Sequence, residues 1–347
     1  MRIAQVAPLV ESVPPKGYGG TERVVHYLSD ALVRMGHEVT LFASGDSRTT
    51  AKLVPVIDRA LRLHPGKPDP VVWHTILVDR VVEMAASFDV IHFHIDTVQL
   101  PVWRFLDVPC LTTMHGRLDL PDLKSLYHRF KNYPLVSISD SQRAPLFSAY
   151  WAGNVYHGLP QDLYSFHPQP QDYFAFVGRI SPEKRCDRAI EIAKATGTPL
   201  RIAAKVDEVD RGYFEREIEG LLDDPLITWV GEISDAEKDD FIGNAKALLM
   251  PIDWPEPFGL VMIEAFACGT PVIAYGHGSV PEVVDEGRTG FVVHNQEQAI
   301  AAARCIGEID RAVCRRTFEE RFSAEKMARG YIDIYRQLIS ARQRLAA

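Results

Sequence analysis

Cysteine is scarce in this chain of 347 residues. The five are Cys110, Cys186, Cys268, Cys305 and Cys314, odd in number and scattered, with no C-x-x-C pair. That excludes a disulfide framework and a cysteine zinc site, and it leaves reduced thiols in a cytoplasmic protein as the expectation. Long apolar runs are missing too. None approaches the ~18 residues that would span a bilayer, and Met1 to Leu9, soon followed by Pro14-Pro15, lacks the pattern of a signal peptide. Positive charge is in deficit: 38 Lys and Arg stand against 46 Asp and Glu, a net charge of −8. A general nucleic-acid binder would carry the opposite balance. The deficit is uneven, because residues 1–165 carry 16 basic and 16 acidic side chains and the remainder 22 and 30. There is no D-x-D pair to hold a nucleotide through a metal, no G-x-G-x-x-G fingerprint, no solenoid repeat and no low-complexity tract.

What is present is regular alternation. Apolar runs over Arg2–Ala7, Glu38–Ala43, Asp89–His94, Cys110–Met114 and Leu135–Ser139 predict strands in the first half. Amphipathic patterns at Thr21–Met35, Val78–Ala86, Pro121–Lys131 and Ser141–Ser148 predict the helices between them. The second half repeats the scheme, with strands at Tyr173–Val177, Leu200–Ala204, Ile227–Val230, Ala247–Pro251 and Val272–Ala274. Its helices are expected over Lys184–Ala195, Arg211–Leu222, Asp235–Asn244 and Phe258–Cys268. Alternating strand and helix implies an α/β fold with parallel sheets and right-handed crossovers. Two such series in a chain of this length imply two Rossmann-like domains. The Pro- and Gln-rich stretch Phe166-His167-Pro168-Gln169-Pro170-Gln171-Asp172 separates them. This gives domains at 1–166 and 167–324, followed by a long terminal helix over 325–347.

The densest chemistry lies in Glu256-Pro257-Phe258-Gly259-Leu260-Val261-Met262-Ile263-Glu264. Two glutamates stand eight positions apart, one on a Pro-rich turn and one placed two turns into the expected helix. At 3.6 residues per turn such positions fall within roughly 80° of each other. The helix start leaves N–H groups around Gly259, Leu260 and Val261 for a phosphate. One carboxylate at the mouth and one behind it could accept hydrogen bonds from two sets of hydroxyls, with an anion between them. That describes a nucleotide-sugar. Three further segments follow strands, where ligands of open α/β sheets bind. Lys16-Gly17-Tyr18-Gly19-Gly20-Thr21-Glu22 offers close backbone approach at Gly19 and Gly20, with Thr21 as a cap. Thr113-Met114-His115-Gly116 puts a histidine at a strand end; His92 and His94 share one face of the preceding strand, and at least one of them is expected to be structural. Val177-Gly178-Arg179-Ile180-Ser181-Pro182-Glu183-Lys184-Arg185 supplies a forked donor and a point charge suited to a diphosphate.

Together these strings resemble the family 4 glycosyltransferases with the GT-B fold. The glutamate pair is similar to their E-x7-E motif, Gly19-Gly20 to their G-G-x-E/S loop, and Arg179 with Lys184 to their G-R-x4-K motif. The segments around Pro281-Glu282 and Gly287 to Phe291 are similar to their structural support around the donor pocket. The resemblance implies two Rossmann-like domains with parallel sheets facing across a cleft. The first would be the acceptor side, the second would hold the donor, and the terminal helix would cross back to the N-terminal domain. It implies transfer of a sugar, with retention of configuration and without a metal or other cofactor, from a nucleotide-sugar co-substrate. UDP-glucose is the first expectation, from frequency in the family. The acceptor would be a small molecule, a glycan or a lipid-linked sugar, with peripheral membrane contact as an option. Glu256 and His115 would be the catalytic contacts. Gly19, Gly20, Arg179, Lys184, Phe258, Gly259, Leu260 and Glu264 would bind the donor, with base contacts from the backbone of Val230-Gly231-Glu232-Ile233. Two departures are visible: Arg185 stands where the family has glycine, and Ala203-Ala204-Lys205 replaces a Gly-rich turn, leaving Lys205 either a phosphate contact or a surface residue. The alternatives are a GT-B sugar-nucleotide epimerase, which needs no acceptor, and a pseudoenzyme that only binds nucleotide-sugar.

Overall fold

The computed structural model describes residues 1–17 and 19–346; Tyr18 of the glycine loop lies outside them. The chain divides into two compact units, Met1–Pro160 together with the segment from Ser323 onward, and Gln161–Phe322. The chain thus leaves the first unit six residues before the break read from composition. It returns two residues before the expected start of the terminal helix.

In the first unit the strands β1 (Arg2–Val6), β2 (Glu38–Ser44), β3 (Lys52–Ile57), β4 (Val90–Phe93), β5 (Cys110–Thr113), β6 (Leu135–Ser137) and β7 (Trp151–Asn154) form one sheet in the order β3-β2-β1-β4-β5-β6-β7. All its pairings are parallel. In the second unit β8 (Phe174–Arg179), β9 (Leu200–Lys205), β10 (Ile227–Gly231), β11 (Ala247–Met250), β12 (Val272–Tyr275) and β13 (Gly290–Val293) run in the order β10-β9-β8-β11-β12-β13, again all parallel. Both orders reverse at the first strand of the unit, between β1 and β4 and between β8 and β11. That reversal is where a doubly wound sheet opens a crevice beyond its strand ends.

Local chemistry sets the helices. Asp69 accepts from Val71 N and Pro70 takes the first position of Pro70–Met84. Ser234 and Glu237 form a capping box on Asp235–Gly243. Asn295 and Asp310 cap Gln296–Cys305 and Arg311–Arg321, two helices that the apolar pattern does not announce. The expected Arg211–Leu222 helix is broken up, with Arg211–Tyr213 α-helical, Phe214–Ile218 a π turn and Glu219–Leu221 a 3-10 turn.

The terminal helix, Ala324–Ala346, belongs to the first unit. Ala324 N donates to Leu159 O at 2.7 Å, Glu325 pairs with Arg34 of the helix Gly20–Arg34 at 3.1 Å, and Tyr331 and Tyr335 are fully buried. Gly153 and Gly330 make room for this packing. A Cβ on Gly153 would come within 2.5 Å of Ile334. All five cysteines are free, and only Cys305 is not fully buried. Among the described residues no helix is long and apolar enough to cross a membrane.

Candidate active site

The second unit gathers most of the expected residues at the carboxyl ends of β8 and β11. Arg179 is the last residue of β8. Lys184 stands on the turn that follows, and Glu256 on the turn after β11. The structure joins these two, 72 positions apart, in an ion pair between Lys184 Nζ and Glu256 Oε2. Trp254 completes the group, donating from Nε1 to the same carboxylate oxygen at 3.1 Å and placing its ring 5.0 Å from Lys184 Nζ. Sequence reasoning passes over Trp254, although an aromatic two positions before the glutamate is a visible signal.

The backbone beneath Glu256 comes from the segment around Gly278. Ser279 N donates to Glu256 O at 2.9 Å and Ser279 Oγ to Phe258 O at 2.8 Å. Gly278 has φ +61°, and a Cβ there would lie 2.3 Å from Glu256 N and O, so no other residue fits. The helix runs Leu260–Cys268 with Gly259 left-handed at its cap and no side chain capping it. It starts later than expected, so Glu264 sits about one turn in rather than two. Glu264 is buried, and Lys238 holds both its oxygens at 3.0 and 3.2 Å. Lys238 is a second residue that sequence reasoning misses, because nothing in the letters links positions 238 and 264. Phe258 departs from expectation. Its ring is buried against Phe322 in the core and its carbonyl accepts from Ser279 Oγ.

Arg179 lies among carboxylates, paired with Glu183 and within 3.5 Å of Asp207 and 3.4 Å of Asp210. Partial burial would raise the Glu183 pKa, but its own N–H, Ser181 and Arg179 outweigh this and lower it. Asp207 is lowered chiefly by Lys205, which bonds to it at 2.9 Å. Asp210 is raised by desolvation and by Glu183 and Asp207, despite Arg179. Lys205 is thereby engaged with Asp207 rather than standing open on the surface.

The expected helix start at Lys184 moves to Cys186, with Arg185 at the cap in a left-handed conformation, φ 51°. This is the conformation a glycine takes without strain. Arg185 adopts it while bonded to Asp187 at 2.7 Å and Asp253 at 3.1 Å, so the departure from the family pattern keeps the turn and changes what holds it.

His115 belongs to a different cluster, in the first unit, after β5. Its Nε2 lies 2.8 Å from His94 Nδ1, and its ring stacks on His157 at 5.3 Å between centroids. Desolvation lowers its pKa to about 3. His94 and His92 are both buried and both hydrogen-bonded, His94 to Gln5 and His92 to Tyr335 and Thr113. Thr21 departs from the cap assignment. The helix begins at Gly20 itself, so Thr21 lies inside it and caps nothing. A Cβ on Gly19 would meet Pro15 at 2.8 Å, which explains the glycine by packing. Among the described residues no three His, Cys, Asp or Glu are arranged to hold a metal ion.

Two family descriptions match the chain: Glycosyltransferase Family 4 over residues 18–151 and Glycosyl transferases group 1 over residues 165–310. The chain is 28% identical over 183 residues to the alpha-maltose-1-phosphate synthase of Mycolicibacterium smegmatis, a match that spans about half of each, 47%. It is 25% identical over 351 residues to the glycogen synthase of Mycobacterium tuberculosis, covering 86% of this chain and 84% of the relative. In structure it is similar to HepE of Anabaena, solved in complex with UDP-glucose, with a TM-score of 0.72, 18% identity, and 98% and 100% of the two chains covered. A family match on each unit and two doubly wound parallel sheets lead to one assignment: the chain belongs to the family 4 glycosyltransferases of the GT-B fold.

Proposed function

We propose that this protein is a retaining glycosyltransferase that takes glucose from UDP-glucose, without a metal, and passes it to an acceptor hydroxyl. The observation that carries the reading is the Lys184–Glu256 pair backed by Trp254. Two motifs far apart in sequence, one suited to phosphate and one to sugar hydroxyls, converge on one spot. HepE, a structural neighbour, binds UDP-glucose, which supports the choice of donor.

On this reading a diphosphate takes the place of the carboxylates as the partner of Lys184 and Arg179. The pairs with Glu256 and Glu183 give way, and Glu256 turns to the hydroxyls of the sugar. The bond from the anomeric carbon to the β-phosphate oxygen breaks as the bond from the acceptor oxygen forms on the same face. The acceptor's proton passes to the departing phosphate oxygen, and UDP leaves. Positive charge that develops at the anomeric carbon is steadied by Glu256, and negative charge on the departing UDP by Lys184, Arg179 and the N–H groups at the start of Leu260–Cys268. Glu264 holds the ribose. His115 is read as a contact to a hydroxyl of the sugar substrate.

A thermal-shift titration tests donor choice. UDP-glucose is expected to raise the melting temperature more than GDP-glucose or ADP-glucose. Lys184→Ala is expected to weaken UDP and UDP-glucose alike, by about 1–3 kcal/mol, the scale of a charge-assisted hydrogen bond. No shift with any of the three, or an unaffected Lys184→Ala protein, would count against the reading.

A further inference from the structure

The buried polar chain behind His115 has a direction. Gln5 on β1 stands opposite His92 on β4 in register, and its side chain is fully buried. Its carbonyl oxygen lies 2.8 Å from His94 Nε2, while its amide nitrogen donates to Tyr335 Oη at 3.0 Å. A carbonyl only accepts, so the hydrogen on that contact belongs to His94 Nε2. Burial, with His92, His115 and His157 nearby, lowers the His94 pKa well below 6.5. The ring is therefore neutral, and its Nδ1 holds a lone pair. That Nδ1 faces His115 Nε2 at 2.8 Å, a contact that requires His115 to donate. His115 is neutral as well, so a hydrogen on Nε2 leaves a lone pair on Nδ1. Among the described residues His94 is the one hydrogen-bond partner of the His115 ring.

The terminal helix holds the other end. The Tyr335 hydroxyl accepts from Gln5 and lies 2.8 Å from His92 Nδ1, where it can donate. His92 Nε2 then donates to Thr113 Oγ1 at 2.7 Å, and Thr113 reaches Tyr331 Oη at 2.9 Å. With the Gln5 amide in this orientation each group in the chain has a role consistent with the next; the reversed amide would reverse every donor, and the wild-type spectrum below distinguishes the two.

We infer that Gln5 and His94 are positioning residues that lock His115 in its Nε2–H tautomer, so that Nδ1 accepts a hydrogen bond from a hydroxyl of the sugar substrate. This rests on the reading above, in which His115 touches substrate. It assigns a function to a buried glutamine that no motif marks, and it gives the terminal helix, through Tyr335, a part in setting a substrate contact. A lone pair at this point favours a hydroxyl and repels a carboxylate or phosphate oxygen.

The test is nitrogen-15 NMR of histidine-labelled full-length protein. In the wild type, Nε2 of His94 and His115 should be protonated and both Nδ1 atoms bare. UDP-glucose should move the His115 Nδ1 resonance, and UDP alone should not. Gln5→Met removes the fixed acceptor. It should let Nδ1–H tautomers of His94 and His115 appear and slow UDP release from UDP-glucose, with water as the acceptor of glucose, by about three- to tenfold, the effect of one lost hydrogen bond, with UDP affinity unchanged. Gln5→Glu keeps an acceptor oxygen and should keep both the tautomer and most of the turnover. A merely structural role for Gln5 would not move the tautomer. Should Gln5→Met fail to fold, the wild-type spectrum alone decides the direction. The two failures separate: the spectrum needs no substrate, so a His115 Nδ1–H signal in the wild type overturns the relay whatever the activity. No UDP release by the wild type overturns the transferase reading and, with it, the hydroxyl contact.

Discussion

Glu256 and Glu264 each have their own lysine, and that separates their expected roles. Glu256 is paired with Lys184 on the turn after β8, whereas Glu264 is tied to Lys238 at the side of its helix. Charge at the anomeric carbon exists only while the bond is breaking, so Glu256→Gln should lower kcat more than donor affinity. A ribose contact is made equally before and during reaction, so Glu264→Gln should chiefly raise KM. Steady-state kinetics on both variants with one donor decides it. If both change KM alone, or the effects are exchanged, the assigned roles are wrong. At this scale the sequence was informative wherever one short string holds the chemistry. It was silent on Lys238, Gln5 and His157, because these meet their partners only after distant parts of the chain are laid side by side. Arg179, Lys184 and Glu256 were legible as types, but not their pairing with one another's motifs or with local carboxylates.

The element that carries most is the helix Leu260–Cys268, and its start depends on Gly259. At φ +77° this residue occupies a conformation that costs an L-residue about 1–2 kcal/mol. A Cβ there would also press within 2.9 Å of the Met250 and Met262 methyls and 3.3 Å of Glu256 Cγ. Gly259→Ala should therefore lower stability by about 1–3 kcal/mol in a denaturant titration, and it should weaken UDP-glucose binding by displacing Glu256. Wild-type stability with wild-type binding would show that this turn is not the donor site's foundation. Central strands were legible as apolar runs. The three strands that the pattern does not announce, β3, β7 and β13, all lie at sheet edges. Edge strands need less apolar surface and tolerate breaks. β3 contains Pro55, and β7 reads Trp151-Ala152-Gly153-Asn154. The start of Pro70–Met84 was written in Asp69-Pro70, but its exposed first turns hide the apolar period that located only the second half. The π turn at Phe214–Ile218 has no counterpart in a period of 3.6.

At the scale of the whole molecule, two doubly wound sheets were legible because alternation of short apolar runs and amphipathic stretches repeats twice. The division at Pro160 was not, since the segment from Gln161 to Asp172 packs against its own unit; Ser165 N, for example, donates to Asp239 at 2.9 Å. The charge balance frames the chemistry. Residues 166–347 carry 22 basic against 30 acidic side chains, so an anionic donor gains nothing from the long-range field and depends on local cations. Arg179 and Lys184 are paired with carboxylates, and on the proposed reading a nucleotide diphosphate exchanges with them. The most direct measurement follows UDP-glucose in buffer containing excess EDTA, where water serves as the acceptor hydroxyl, with released UDP quantified and the anomer of released glucose read by proton NMR in the first minutes. UDP release is expected to persist in EDTA with α-glucose as the first product, and both are expected to be lost in Glu256→Gln. β-Glucose appearing first, activity abolished by EDTA and restored by Mg²⁺, or no release from the wild type would contradict the proposed function.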